Sequence, residues 1–314
     1  MKQKNNKSGN WGLKSVISIQ GNKGSYSHIA AAHIFGKDVD VIERDNFTSV
    51  FEDLQSRDAE YIVVPIENST HGSVYQNYDN LTKYGFPVIG ELYLKVKFHL
   101  ITNPGTKLEE IDTLYTHPVG MNQIRKFLSE NPQIKPVEFD DTAGSVKLIK
   151  EKGKKNLAAA ASRFAAEYYE MEVLKDDIQE NGKNYTRFFV LANNSSQHIN
   201  MRVDLRSENS DLRLNPKSQN SNPKSQYKTT IQFVLGEEAG SLYKSLRAFA
   251  DRDISLSKIE SRPILNTDWE YRFYVDVEAH ADDEKMQNAL REIGDYVREL
   301  EILGSYKKGE YIET

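Results

Sequence analysis

The chain has 314 residues, enough for two domains of ordinary size and too few for three. Hydrophobic residues make up 38% and charged residues 28%, which excludes a mainly disordered chain, and no apolar run of about 18 residues is present to span a membrane as a helix. Cysteine is absent, which excludes disulfide staples, thiolate catalysis and sulfur-ligated zinc, and a formal net charge of −5 offers no general basic surface for nucleic acid.

Residues 1–15 are rich in Lys and Asn and lack the apolar stretch of a signal peptide, so they read as a loose tail on a cytoplasmic protein. From residue 16 short apolar runs alternate with helical stretches, the rhythm of an α/β unit. Residues 16–20 predict a strand, Gly21, Asn22, Lys23 and Gly24 a turn, and 25–35 a helix capped by Ser25 or Ser27. A strand at 39–42, a helix carrying Phe47, Val50, Phe51 and Leu54, and a strand at 61–66 come next. The last of these is nearly continuously apolar, as in a strand buried on both faces, and Pro65 either ends it or sits where a missing donor costs nothing. Val74, Tyr78 and Leu81 mark a helix that stops near Gly85. Two β-rich pieces occupy 86–100 and another strand 113–116; helices are expected over 121–129 and 142–152, with Asp141 and Thr142 as cap candidates. The Ala-rich centre of 157–169 predicts a further helix, and the Lys-rich run at 150–155 reads as a solvated face.

Residues 186–192 are again strand-like, and then the composition changes. Asn, Ser and Lys dominate 193–228, and the pentad Asn-Pro-Lys-Ser-Gln occurs twice, from Asn215 and from Asn222, the mark of a linker; an alternation over 201–206 adds at most a short strand. Beyond it the order is strand 229–235, helix 240–251, strands 255–263 and 271–277, and helix 282–300, with 302–306 as a final strand. That is close to a ferredoxin-like sandwich.

No Gly-x-Gly-x-x-Gly, Gly-x-x-x-x-Gly-Lys-Ser/Thr, His-Glu-x-x-His or Gly-x-Ser-x-Gly motif is present, and the seven histidines show no ligand-like clustering. Small polar residues instead concentrate at the ends of predicted strands, at 21–28, 65–73 and 184–188. In open α/β sheets ligands sit at the carboxyl ends of strands, where helix N-termini offer free N–H groups to anions. On the residues alone these segments read equally as an anion-binding cleft or as ordinary βα turns.

The same three segments resemble the motifs of the prephenate dehydratases. The family's first loop, Gly-Pro-x-Gly-Thr-Phe-Ser-Glu, corresponds to Gly21 through His28, its Pro-Ile-Glu-Asn-Ser-x-x-Gly-Ser motif runs from Pro65 to Ser73, and its Asn-x-Thr-Arg-Phe motif from Asn184 to Phe188. Thr116-His117-Pro118, Asp141-Thr142-Ala143 and Asp177-Ile178-Gln179 are further echoes. Gly240-Ser241-Leu242 and Ile259-Glu260-Ser261-Arg262-Pro263 resemble the phenylalanine-contact motifs of the family's ACT regulatory domain. Departures are Asn22 for proline, His28 for glutamate, His71 where many bacterial members carry a second glutamate, Tyr243 for valine, and Ser255 where asparagine is common.

The resemblance implies a two-lobed, periplasmic-binding-protein-like (type 2) catalytic domain over 16–193, a linker over 194–227 and a ferredoxin-like βαββαβ ACT domain over 228–308. It implies decarboxylating dehydration of prephenate to phenylpyruvate in phenylalanine biosynthesis, with arogenate as the alternative substrate, and no metal or organic cofactor. Thr186 is the implied proton donor to the departing hydroxyl, and Ser25, Tyr26, Ser27, Glu67, Asn68, Ser69, Thr142, Arg187 and Phe188 are the implied substrate-binding set. Strand alternation turns Arg187 away from a cleft that Thr186 and Phe188 face, so Arg187 either binds a carboxylate directly or stabilises the fold; Glu67 either orients Asn68 and Ser69 or caps the helical region after them. Gly240, Leu242, Ser255, Leu256, Glu260, Ser261, Arg262 and Pro263 are the implied L-phenylalanine site in a homodimer or homotetramer, against a plain dimerisation module. A two-lobed, non-catalytic ligand sensor is the reading of a different class.

Overall fold

The computed structural model describes residues 15–193 and 226–314. The expected tail apart from Ser15, the linker as far as residue 225 with all of its tandem pentads except Gln226, and the 201–206 alternation lie outside the described residues. The chain divides into two compact units. The first takes 15–84, Leu92–Asn193 and Glu310–Thr314; the second takes Gly85–Glu91 and 226–309.

The first unit holds two α/β lobes. Lobe one contains β1 (Ile17–Gln20), α1 (Tyr26–Phe35), β2 (Val41–Arg44), α2 (Phe47–Ser56), β3 (Tyr61–Asn68), β4 (Gly72–Ser73) and α3 (Tyr75–Tyr84), and then the part of β5 (Val88–Lys95) from Leu92 onward. β1 lies parallel to both β2 and β3. Ile62, Val63, Val64 and Ile66 of β3 are fully buried, as the continuous apolar run requires of a central strand. Lobe two contains β6 (His99–Thr102), β7 (Thr113–Thr116), α4 (Pro118–Gln123), α5 (Arg125–Glu130), β8 (Lys135–Glu138), α6 (Thr142–Lys152), β9 (Leu157–Ala161), α7 (Arg163–Tyr168) and β10 (Glu172–Lys175). Its strands are ordered β10-β6-β9-β7-β8. The chain then returns to lobe one as β11 (Tyr185–Ala192), antiparallel to β3.

Pro65 does not end its strand. β3 runs on to Asn68, and the pairing shifts between Arg187 and Phe188 of β11, the latter lying opposite Pro65. A bulge facing proline removes the need for the N–H it lacks. The Pro65 carbonyl accepts the Nδ2 amide of Asn77 at 2.7 Å.

Residues 157–169 are not one helix. The alanine run is β9, paired with β6 on one side and β7 on the other, and every residue of it is buried. The helix begins only after Ser162, whose hydroxyl accepts the Ala165 N–H at 3.1 Å. Alanine's helix propensity is worth a few tenths of a kcal/mol per residue; the central position in the sheet outweighs it, because methyl-sized side chains let the helical residues Val146, Ile149 and Ala165 pack in one cluster with Ala159 and Ala161. The helix expected over 121–129 breaks into α4 and α5 at Ile124 (φ −112°, ψ 19°).

The second unit contains β12 (Tyr227–Leu235), α8 (Ser241–Ala250), β13 (Leu256–Pro263), β14 (Tyr271–Val277), α9 (Glu284–Ile293) and β15 (Val297–Lys307), with sheet order β13-β14-β12-β15 and every pairing antiparallel. This is the expected βαββαβ sandwich, except that the last helix stops at Ile293 and the strand after it starts at Val297 rather than 302. Its core joins Ile231, Phe233, Phe249, Val275, Met286 and Leu290. The final β16 (Tyr311–Ile312) belongs to the first unit and runs parallel to β5.

Inside the second unit Lys228 Nζ lies 2.8 Å from Glu91 Oε1, with the two side chains 5% and 0% exposed, and the Gly309 N–H donates to the same carboxylate at 3.1 Å. Lys228→Met strands a buried carboxylate and is expected to lower unfolding free energy by about 3–5 kcal/mol, whereas Lys228→Met with Glu91→Leu recovers most of it; urea unfolding of the three proteins measures both.

Candidate active site

The loop after β1 turns on Gly21 and Gly24, whose φ values of +92° and +95° favour glycine. A Cβ on Gly24 would also lie 3.2 Å from Ala165 Cα, so the turn packs directly on α7. Ser25 caps α1 by accepting the His28 N–H at 3.3 Å. His28 is buried, accepts the Gly24 N–H through Nδ1 at 2.9 Å, and meets Phe164 and Tyr168 edge-on. It braces the loop and does not line the cavity. The Tyr26 hydroxyl donates to the Lys97 carbonyl at 2.5 Å; burial, only partly offset by that bond, pushes the phenol well above its ordinary titration range.

At the end of β3 the Asn68 side chain is held at both atoms. Its Oδ1 accepts the backbone N–H groups of Thr70 at 2.9 Å and His71 at 3.0 Å, so Nδ2 must face the other way. That amide donates to Thr186 Oγ1 at 2.9 Å and to Asn184 Oδ1 at 2.8 Å. Thr186 is therefore an acceptor toward Asn68, which leaves its own O–H directed elsewhere. Asn184 Nδ2 reaches lobe two, donating to Gln123 Oε1 at 2.6 Å. Ser69 joins the same corner by backbone and hydroxyl: its N–H donates to the Tyr185 carbonyl at 2.8 Å and its Oγ accepts the Tyr185 N–H at 2.9 Å.

A second link between the lobes is Asp141. It caps α6 by accepting the Ala143 and Gly144 N–H groups, and its Oδ2 accepts both the backbone N–H (3.0 Å) and the side-chain amide (2.8 Å) of Asn22. This departure from the family's proline thus serves as a polar contact across the cleft.

These elements enclose a cavity of about 210 Å³. The expected proton donor Thr186 lines it, as do Ser25, Tyr26, Ser27, Asn68, Thr142 and Phe188 of the substrate-binding set expected from sequence. Glu67, Ser69 and Arg187 do not. The Arg187 side chain is 4% exposed, sits over the rings of Phe189 (4.7 Å) and Tyr93 (5.9 Å), and lies 3.9 Å from Glu67, on the face of β11 away from Thr186. His117, Gln123, Phe98 and Asp140 also line the cavity. Thr116-His117-Pro118 signalled the first of these; no motif carries Gln123 or Phe98, which reach the cavity through the way lobe two folds. Among the described residues, no Lys or Arg lines the cavity.

In the second unit Gly240 starts α8 with φ +81°, and a Cβ there would meet nothing within 4 Å, so conformation rather than crowding favours glycine. Leu242 packs against the core, Ser255 precedes β13, and Leu256, Glu260, Ser261, Arg262 and Pro263 lie along β13 at the sheet edge, alternating between half-buried and exposed.

The prephenate dehydratase family model matches residues 17–196. The chain belongs to that family. An ACT domain model matches residues 229–295. A bifunctional chorismate mutase/prephenate dehydratase of Aquifex aeolicus is 31% identical over 296 residues, 94% of this chain and 74% of the relative. An arogenate dehydratase/prephenate dehydratase of Arabidopsis thaliana chloroplasts is 33% identical over 304 residues, 94% and 73% of the two chains. Among solved structures, one described as GqqA, a quorum quenching acylase, superposes with a TM-score of 0.78 at 27% identity, covering 94% of this chain and 98% of its own. The prephenate dehydratase of Arthrobacter aurescens in complex with L-Phe does so with 0.77 at 26%, covering 93% and 90%. No helix among the described residues is long and apolar enough to cross a membrane.

Burial holds His28, His99 and His117 below the ordinary imidazole range, helped at His28 by the Lys23 charge. Unfolded imidazoles take up protons near pH ~6.5 that the folded ones refuse, so the stability is complete above that value and is lost as pH falls through the lower folded values. Urea midpoints measured from pH 7.5 downward should show this decline, and His28→Gln should flatten it.

Proposed function

We propose that this chain dehydrates and decarboxylates prephenate to phenylpyruvate, with Thr186 as the hydroxyl that meets the departing oxygen. The carrying observation is the Asn68–Thr186 contact, in which the Asn68 amide occupies a lone pair of Thr186 Oγ1 beside the cavity and leaves the Thr186 proton to be donated. In the reaction the bond from the ring to its carboxylate breaks and releases carbon dioxide. Those electrons make the ring aromatic as the ring C–O bond opposite breaks. Hydroxide is a poor leaving group, so the proton from Thr186 lets it depart as water, and solvent returns the proton to threonine. A positioned acid of this kind contributes about 10²- to 10⁴-fold. Threonine is weakly acidic, so much of the rate comes from orientation and preset dipoles.

A substrate carboxylate faces the start of α1, which has the neutral Ser25 as cap and no acidic residue in its first turn, whereas the start of α6 is already taken by the Asp141 carboxylate. Arogenate is the second reading, and a specific observation favours it: Asp140 lines the cavity and none of the described Lys or Arg residues does, an environment that suits an ammonium better than a second carboxylate. The acylase likeness is a reminder that this fold does not fix a reaction; the Asn68–Thr186–Asn184 constellation is what supports dehydration here.

The ACT domain is read as the feedback module, and the L-Phe complex of the Arthrobacter aurescens protein supports phenylalanine as its ligand; the reading places that ligand at Gly240, Leu242 and the β13 residues of a cytoplasmic homodimer or homotetramer. Feedback requires phenylalanine to prefer the less active state, since equal affinity shifts nothing.

Thr186→Val keeps the shape and removes the proton. Phenylpyruvate release from prephenate should fall by about 10²-fold or more, and a parent-like rate in folded protein would refute the assignment. Side-by-side turnover of prephenate and arogenate decides between the substrates. Calorimetry with L-phenylalanine should register binding that Gly240→Val weakens; absence of any heat would leave a dimerisation module.

A further inference from the structure

The stretch before β11, from 176 to 184, has no helix or strand, and just past Thr186 the pairing with β3 slips at the Arg187/Phe188 bulge. Thr186 therefore sits between an irregular loop and an irregular register. On the front of the strand it is held by Asn68. Alternation sends the neighbouring side chains, Tyr185 and Arg187, to the back.

The back is occupied by residues that the catalytic motifs do not include. The chain leaves the second unit at Gly309 and re-enters the first at Glu310. Tyr311 and Ile312 then pair with Tyr93 and Leu94 of β5, and the Tyr93 N–H donates to the Glu310 carbonyl at 2.9 Å. A two-residue strand has few backbone bonds, so side chains must hold it. The Tyr311 ring stacks on Tyr93 at 4.6 Å and 9°, and meets Tyr185 edge-on at 5.3 Å. Glu313 accepts the Tyr185 hydroxyl at 3.0 Å through one oxygen and Lys95 Nζ at 2.8 Å through the other. Lys95 first, and then Tyr185, hold the Glu313 carboxyl below the usual carboxylate range, so it is an anion acceptor at neutral pH. Tyr93, the ring under Tyr311, also faces the Arg187 guanidinium at 5.9 Å. The segment thus reaches both neighbours of Thr186, Tyr185 directly and Arg187 through Tyr93.

We propose that residues 310–314 are a clasp that positions the Thr186 hydroxyl from behind its own strand, with Glu313 and Tyr311 as positioning residues for the dehydration. The proposal rests on the reading of Thr186 as the proton donor.

The full-length protein tests it by steady-state kinetics with the substrate that the parent turns over. Glu313→Ala and Tyr311→Ala should each lower kcat by about ten-fold, the scale of a small misplacement of a catalytic group, with KM within about two-fold and the thermal midpoint unchanged. Glu313→Gln keeps an acceptor for the Tyr185 hydroxyl and should restore most of the rate. Tyr185→Phe should match Glu313→Ala, and combining the two should cost nothing further. A Glu313→Ala protein as fast as the parent, beside an inactive Thr186→Val, would overturn the clasp alone. A loss of kcat that follows the thermal midpoint, or that Glu313→Gln does not relieve, would reduce the segment to general stabilisation and overturn it too. A parent-like Thr186→Val would remove the reading beneath it and the clasp together.

Discussion

The antiparallel pairing of β11 with β3 sets Thr186 opposite Asn68, and the candidate site depends on that register. Side chains alternate along a strand, so a slip of one residue would turn Thr186 to the back and bring Arg187 to the cavity. The pairing is fixed from several directions at once. Ser69 is bonded twice to Tyr185, Asn68 reaches both Asn184 and Thr186, and the bulge is placed where Pro65 has no N–H to lose. Asn184, at the start of the same corner, passes the constraint to lobe two through Gln123.

Electrostatics takes an unexpected form in a protein proposed to handle anions. The chain carries a net charge of −5, and its cavity is lined by neutral side chains together with Asp140 and Asp141 rather than by any described Lys or Arg. Attraction for a carboxylate must then come from the start of α1 and from preset amides, which need no reorganisation when substrate enters. Arg187, the cation closest in sequence to Thr186, is buried behind the strand, against aromatic rings and near Glu67. The histidines that replace family glutamates are likewise spent on structure or loop geometry: His28 accepts a backbone N–H of the glycine turn, and the Thr70 hydroxyl lies 2.8 Å from His71 Nδ1.

Much of the fold is written in patterns that do not depend on long-range contacts. The glycine turn with Ser25 as cap, the apolar run of β3, the change of composition after residue 193 and the strand and helix order of the second unit arise from local sterics, capping and periodicity. The motif residues that line the cavity are legible through resemblance. The alanine run of β9 shows where such reasoning fails, because intrinsic propensity is weak against a central place in a sheet. Gln123 and Phe98 belong to no motif, and nothing local marks them as cavity residues.

The amino-acid sequence by itself determined the family, the two kinds of folded unit and the threonine proposed to carry the chemistry, since each is encoded in short contiguous stretches. Only the tertiary structure decided which way Asn68 donates, that Arg187 faces away, that Asn22 and Asp141 bridge the lobes, and that residues 310–314 return to the back of the Thr186 strand. Each of these joins groups far apart in the chain, and strand register and lobe packing, rather than local propensity, bring them within hydrogen-bond reach.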